Sequence, residues 1–162
     1  MTDRCRVVFV CLGNICRSPM AEVVLRALLA EEGLDDRVEV SSAGTGDWHV
    51  GQGADRRSTE VLTRRGYDAR GHRARQFDPA WFDDHDLVVA MDRQNLADLR
   101  ALAPRDRRDG VLLLRSFDPT AGDDLDVPDP YYGGPDGFDD ALDMVERACH
   151  GLLDHLRREL GG

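Results

Sequence analysis

The spacing of apolar positions along this chain changes period several times. Arg6 to Cys11, "RVVFVC", is a continuous β-branched and aromatic run and predicts a strand buried on both faces. From Ser18 the spacing becomes helical. Met20, Val23, Val24, Ala27 and Leu28 share one face, and Gly33 supplies the stop. Ser18 suits the N-cap of this helix and Pro19 its first position, where a missing N–H costs nothing. Val38 to Ala43, "VEVSSA", predicts a second strand, followed by the Gly-rich "GTGDWHVGQG". Further helices are expected over 54–65 and near 94–101, with strands over 86–91 and 111–115. From Phe138 to Leu160 the residues Phe138, Leu142, Val145, Cys149, Leu152 and Leu156 alternate at spacings of four and three, a long helix with one buried stripe.

Strands alternating with helices predict an α/β fold, a doubly wound parallel sheet of four strands with helices on both faces. Such sheets bind ligands at the carboxyl ends of their strands. With 162 residues and no internal repeat or linker, one domain over 1–162 is expected. The stretch from Asp118 to Gly137 fits no element; a segment this long in a compact domain is usually a functional loop, and its paired tyrosines favour that reading.

Composition narrows the chemistry. A formal net charge of −10 argues against a nucleic-acid or anionic-membrane surface, and no stretch approaches the length of a membrane span. Every one of the 21 basic residues is arginine. Without lysine there is no Walker-type phosphate loop and no side-chain Schiff base. Four scattered cysteines do not form a secreted disulfide framework, and no signal peptide pattern precedes the first strand. The expectation is a reduced cytoplasmic protein. Cys149 lies on the stripe of the last helix and reads as core.

The remaining chemistry sits in "VCLGNICRSPMAE", where the first strand ends and the first helix begins. Backbone N–H groups at such a junction lack helical partners, and with the helix dipole they attract a dianion. Gly13 permits the turns that aim amides inward. Arg17 can grip two phosphate oxygens with its planar fork. The same field favours the nucleophilic thiolate of Cys11, and the Ser18 hydroxyl can donate to that sulfur. An anion site with its own nucleophile implies phosphoryl transfer to sulfur and hydrolysis of the phosphocysteine. The leaving group needs a proton, and Asp129 in "DPYYGG" is the candidate acid. Trp48, Tyr131 and Tyr132 can border a cleft above the loop and accept an aromatic ring.

Taken together, "VCLGNICRSPMAE", "SSAGT", "GHRARQ", "MDRQNL" and "DPYYGG", in order along nearly the whole chain, resemble the low-molecular-weight protein tyrosine phosphatases. The resemblance implies a four-stranded parallel sheet flanked by helices, no metal or cofactor, and a two-step mechanism. Cys11 would be the nucleophile, Arg17 the phosphate clamp and Asp129 the acid. Leu12, Gly13, Asn14, Ile15, Cys16 and Ser18 would surround the phosphate, with Ser42 and His72 supporting the loop. Asn14 suits a left-handed backbone angle, which hydrogen bonds would hold. The resemblance also implies that Cys16 can trap oxidised Cys11 as a reversible disulfide. Partners would be phosphotyrosine proteins, with the chain a monomer or weakly self-associating.

Three rivals bear on this reading. Related arginine phosphatases tend to carry threonine where this chain has Ile15. Arsenate reductases of the same fold need mid-chain cysteines, and none lies between Cys16 and Cys149. A phosphotyrosine-binding module without turnover would be expected to have lost the nucleophile, the clamp or the acid.

Overall fold

The computed structural model describes residues 4–69, 71–132 and 136–160, with Tyr132 described by its backbone alone. Four parallel strands, β1 (Cys5–Cys11), β2 (Val38–Gly44), β3 (Leu87–Ala90) and β4 (Val111–Leu113), form one sheet in the order β2-β1-β3-β4. Helices α1 (Arg17–Glu31), α2 (Arg56–Arg64), α3 (Arg93–Leu102) and α4 (Gly137–Glu159) complete the α/β fold.

β1 is central, paired over all seven residues with β2 and over Val7 to Val10 with β3. Its pleat sends Val7, Phe9 and Cys11 into the core beneath α1 and α4, and Val8 and Val10 into a second core with Leu99 of α3. Both faces are therefore dry, which is why the run reads as unbroken apolar sequence. The chain leaves β1 toward β2 on one side and returns to β3 on the other. The strand order reverses at the end of β1, and a crevice opens there.

α1 begins two residues earlier than the capping pattern predicts. Arg17 is its first residue, Cys16 stands at the N-cap without a side-chain hydrogen bond, and Pro19 is third. Ser18 is not the cap because its hydroxyl lies 2.9 Å from the Cys11 sulfur. Pro19 still falls within the first turn, whose amides have no helical partner. The far end behaves as expected: Gly33 takes a φ of 69°, and the amides of Gly33 and Leu34 return to Ala30 and Leu29 in a Schellman closure. The buried face is wider than the predicted stripe, adding Ala21, Leu25 and Leu29 and leaving Val23 and Ala27 half-buried.

The predicted fourth strand, 111–115, is too long by two residues. The β3–β4 ladder ends at Ala90 and Leu113, and a 3-10 turn from Leu114 to Phe117 takes over. α4 buries all six stripe residues, Cys149 among them. It approaches that turn so closely that a Cβ on Gly151 would stand 1.7 Å from the carbonyl oxygen of Phe117. No helix is long and apolar enough to cross a membrane among the described residues.

Candidate active site

Between Cys11 and Arg17 the chain wraps around a point at the carboxyl end of β1. Asn14 is the non-glycine residue with positive φ among those described, at 59°, and its side chain is entirely buried. A left-handed residue needs outside support, and Asn14 has it on each side. Its Nδ2 donates to Ser18 Oγ at 2.9 Å and Ser42 Oγ at 3.0 Å. Its Oδ1 accepts from the Arg75 amide at 2.9 Å, and its carbonyl lies 2.6 Å from His72 Nε2. The Asn14 amide itself points at the Cys11 sulfur, 3.3 Å away. Ser42 and His72 thus stand behind the loop.

The network reaches further than the motifs announced. Ser42 Oγ donates to Glu22 at 2.6 Å, and Glu22 is paired with Arg26. Because Ser18 Oγ already accepts from Asn14, its own proton is left for the sulfur or for the Ala43 carbonyl at 3.4 Å. The shorter of these two is the sulfur, and a thiolate is the stronger acceptor. Outside the loop, Thr45 and Gly46 donate to the carbonyls of Cys11 and Leu12. The Asp55 amide donates to Ile15 O, and the buried Ser58 hydroxyl to Cys16 O. A Cβ on Gly44 would stand 2.7 Å from Leu12 O, so β2 can flank the loop this closely only with glycine there.

Arg17 is 2% exposed. Its Nη1 donates to Asp92 Oδ2 at 2.5 Å and to the Val127 carbonyl at 2.9 Å, while Nη2 lies 3.6 Å from Asp129 Oδ2. Burial by itself would lower its pKa. The neighbouring Cys11 sulfur, Asp92 and Asp129 outweigh that and hold the guanidinium above its ordinary value. Nε has no protein partner, so the Nε–Nη2 edge keeps the paired donors that grip two oxygens of a phosphate. Asp92 serves two elements at once, since its Oδ1 caps α3 through the Asn95 amide.

Above the loop lies a cleft of about 380 Å³ lined by Cys11, Leu12, Gly13, Ile15, Cys16, Arg17, Trp48, His49, Asp129 and Tyr131. Trp48 is 66% exposed and Tyr131 36%, and they form the rim. The side chain of Tyr132 lies outside the described residues. His49 joins this rim without having been singled out in the sequence; its ring sits 6.4 Å from that of Tyr131. Burial pushes the Cys16 thiol well up, with Asp55 and Cys11 adding to the effect. The described cysteines are all free. No group of three or more His, Cys, Asp or Glu side chains stands ready to hold a metal ion among the described residues.

An arginine fork, a sulfur and a ring of backbone at the carboxyl end of a parallel strand make this a site for a phosphate ester, with a nucleophile beneath it. The comparisons with known proteins agree. Residues 6–161 match the model of the low molecular weight phosphotyrosine protein phosphatases. A low molecular weight protein-tyrosine-phosphatase of Streptomyces coelicolor is 57% identical over 159 residues, covering 97% of this chain and 96% of that one. The crystal structure of a protein tyrosine phosphatase from Entamoeba histolytica superposes with a TM-score of 0.90 at 36% identity, covering 95% of this chain and 97% of that one. A Drosophila arginine phosphatase also shares the fold, with a TM-score of 0.83 at 34% identity over 92% of this chain and 96% of its own. The chain belongs to the low molecular weight phosphotyrosine protein phosphatase family.

Proposed function

We propose that this protein hydrolyses phosphotyrosine monoesters through Cys11, Arg17 and Asp129. Cys11 attacks phosphorus as a thiolate, forming the S–P bond as the P–O bond to the tyrosine breaks. Ser18 and the Asn14 amide stabilise the sulfur before attack and when it leaves again. Arg17 holds the equatorial oxygens, whose charge spreads in the transition state. Asp129 gives its proton to the departing phenoxide, then takes one from the water that cleaves the S–P bond and releases phosphate. The observation that carries this reading is the meeting of all three groups in one cleft, 118 residues of sequence separating the first from the last. The aromatic rim above them favours a substrate whose phosphate stands at the end of a ring.

A second reading, hydrolysis of phosphoarginine, is supported by the Drosophila structure. Ile15, 7% exposed in the cleft wall, weighs against it as an apolar neighbour for a guanidinium. Phosphate release from phosphotyrosine, phosphoserine and phosphoarginine peptides separates the readings. Metal-independent release from phosphotyrosine, abolished in Cys11→Ser, is the expected result. Release from phosphoarginine in its place would transfer the assignment, and tight binding without release would leave a recognition module.

We place the chain in a reducing, cytoplasmic setting, in which thiols that are free in the structure would stay reduced, and propose that it acts as a monomer or weakly self-associating. Cys16 lines the same cleft as Cys11, which supports its role as a partner for oxidised Cys11.

A further inference from the structure

Arg57, the second residue of α2, touches both the frame of the phosphate loop and the segment that carries the acid. On one side it is pinned to Asp55: Nε lies 3.1 Å from Oδ1 and Nη2 3.1 Å from Oδ2, a two-pronged pair. Asp55 is fixed in turn, because it caps α2 and its amide donates to Ile15 O at 2.8 Å. On the other side Nη1 donates to the Tyr131 carbonyl at 3.2 Å. The guanidinium also lies over two rings, 5.2 Å from the centre of Tyr131 and 4.6 Å from that of Phe138 at the start of α4. The Tyr131 amide donates to Asp129 Oδ1 at 3.1 Å, so the residue that Arg57 holds is the one that orients the carboxylate.

We propose that Arg57 is a positioning residue for the general acid, a strap that sets the height of Asp129 above Cys11. The proposal rests on the reading of Asp129 as proton donor. The planar fork explains the choice of arginine: three hydrogen bonds in one plane pin Asp55 and Tyr131 while the faces meet the rings. An ammonium lacks the planar fork and the flat face that make the bidentate pair and the ring contacts together. A misplaced acid is felt only where the leaving group needs a proton.

The test compares kcat/KM for phenyl phosphate, whose leaving group is poor, with 4-nitrophenyl phosphate, whose leaving group departs unaided. Asp129→Asn is the reference and should lose about 10²–10⁴-fold on phenyl phosphate and far less on the nitrophenyl ester. Arg57→Ala should lose about tenfold on phenyl phosphate alone, less than the ~10²-fold that a misplacement of about an ångström can cost. Inhibition by inorganic phosphate should stay unchanged, because Arg57 does not line the anion site. Arg57→Lys, which keeps the charge at the helix end if the alanine variant fails to fold, should show the same selective loss at smaller size. Equal losses on both esters in the Arg57 variants, or none, would overturn the proposal while leaving Asp129 as the acid. Equal losses in Asp129→Asn would overturn the acid assignment and the strap with it.

Discussion

The floor and the rim of the cleft are built on opposite principles. On the floor, Asn14 and Ser18 are fully buried and bonded to one another, Asn14 also to the Ser42 side chain of β2, and Arg17 is anchored to Asp92 and Val127. On the rim, Trp48 stands largely in solvent, and Tyr131 is partly exposed with its ring between His49 and the Arg57 guanidinium. Catalysis by fixed dipoles requires donors in place before charge develops, since reorganising them costs free energy at the moment of reaction. Substrate choice by ring contact tolerates movement. The difference separates where a substitution should change the rate from where it should change the preference.

The largest effect tests the floor directly. Arg17→Lys keeps the positive charge but loses the fork, and kcat/KM for aryl phosphates should fall about 10³-fold, the lower range of what an arginine on a transferring phosphoryl group contributes. A loss below tenfold would mean that charge alone suffices. Asn14→Ala should cost both stability and rate, about 1–3 kcal/mol in denaturant unfolding, because Ser18, Ser42 and the Arg75 amide lose partners in a dry interior. Full rate with lowered stability would detach the loop's shape from its chemistry.

A third test reaches the root of the segment that supplies the Val127 carbonyl. Burial pushes the Asp118 carboxyl up, but the amide and hydroxyl of Thr120, then Arg147 and Arg115, hold it below the usual range. A depressed carboxylate contributes stability above its unfolded value near ~3.9, lost as pH falls through the lower folded value. Asp118→Asn should therefore flatten the decline in melting temperature below about pH 4. An unchanged acid profile would place the titration elsewhere. The smallest effect belongs to the rim: Trp48→Ala should raise KM for a phosphotyrosine peptide about threefold, with kcat and melting temperature unmoved, since one exposed ring contributes about 0.5–1.5 kcal/mol at most.

Legibility followed the range of the interactions. β1 and α4 could be read from sequence because their burial repeats locally, residue by residue. The end of β4 could not, since it is set by β3, which stops at Ala90 and leaves Leu114 unpaired. Ser18 reads as a cap in the sequence, but its partners lie back across the loop at Cys11 and Asn14, where no helical spacing points. Glu22 and Asp92 were inside the quoted motifs, yet their partners Ser42 and Arg17 stand 20 and 75 residues away. Arg57 belongs to no motif at all. The groups that touch phosphate follow from local chemistry; the groups that hold them follow from the way four strands bring distant segments to one edge.

Gly151 gives the long last helix a fulcrum. Where its backbone presses on Phe117, any side chain would have to lift α4 away from the turn. The helix is stiff, and thirteen residues of it, about 20 Å at the usual rise, separate that point from Phe138 and the ring that Arg57 covers. A methyl group added at the fulcrum would thus act as a lever, moving the acid's surroundings from a distance at which no direct contact with the cleft exists.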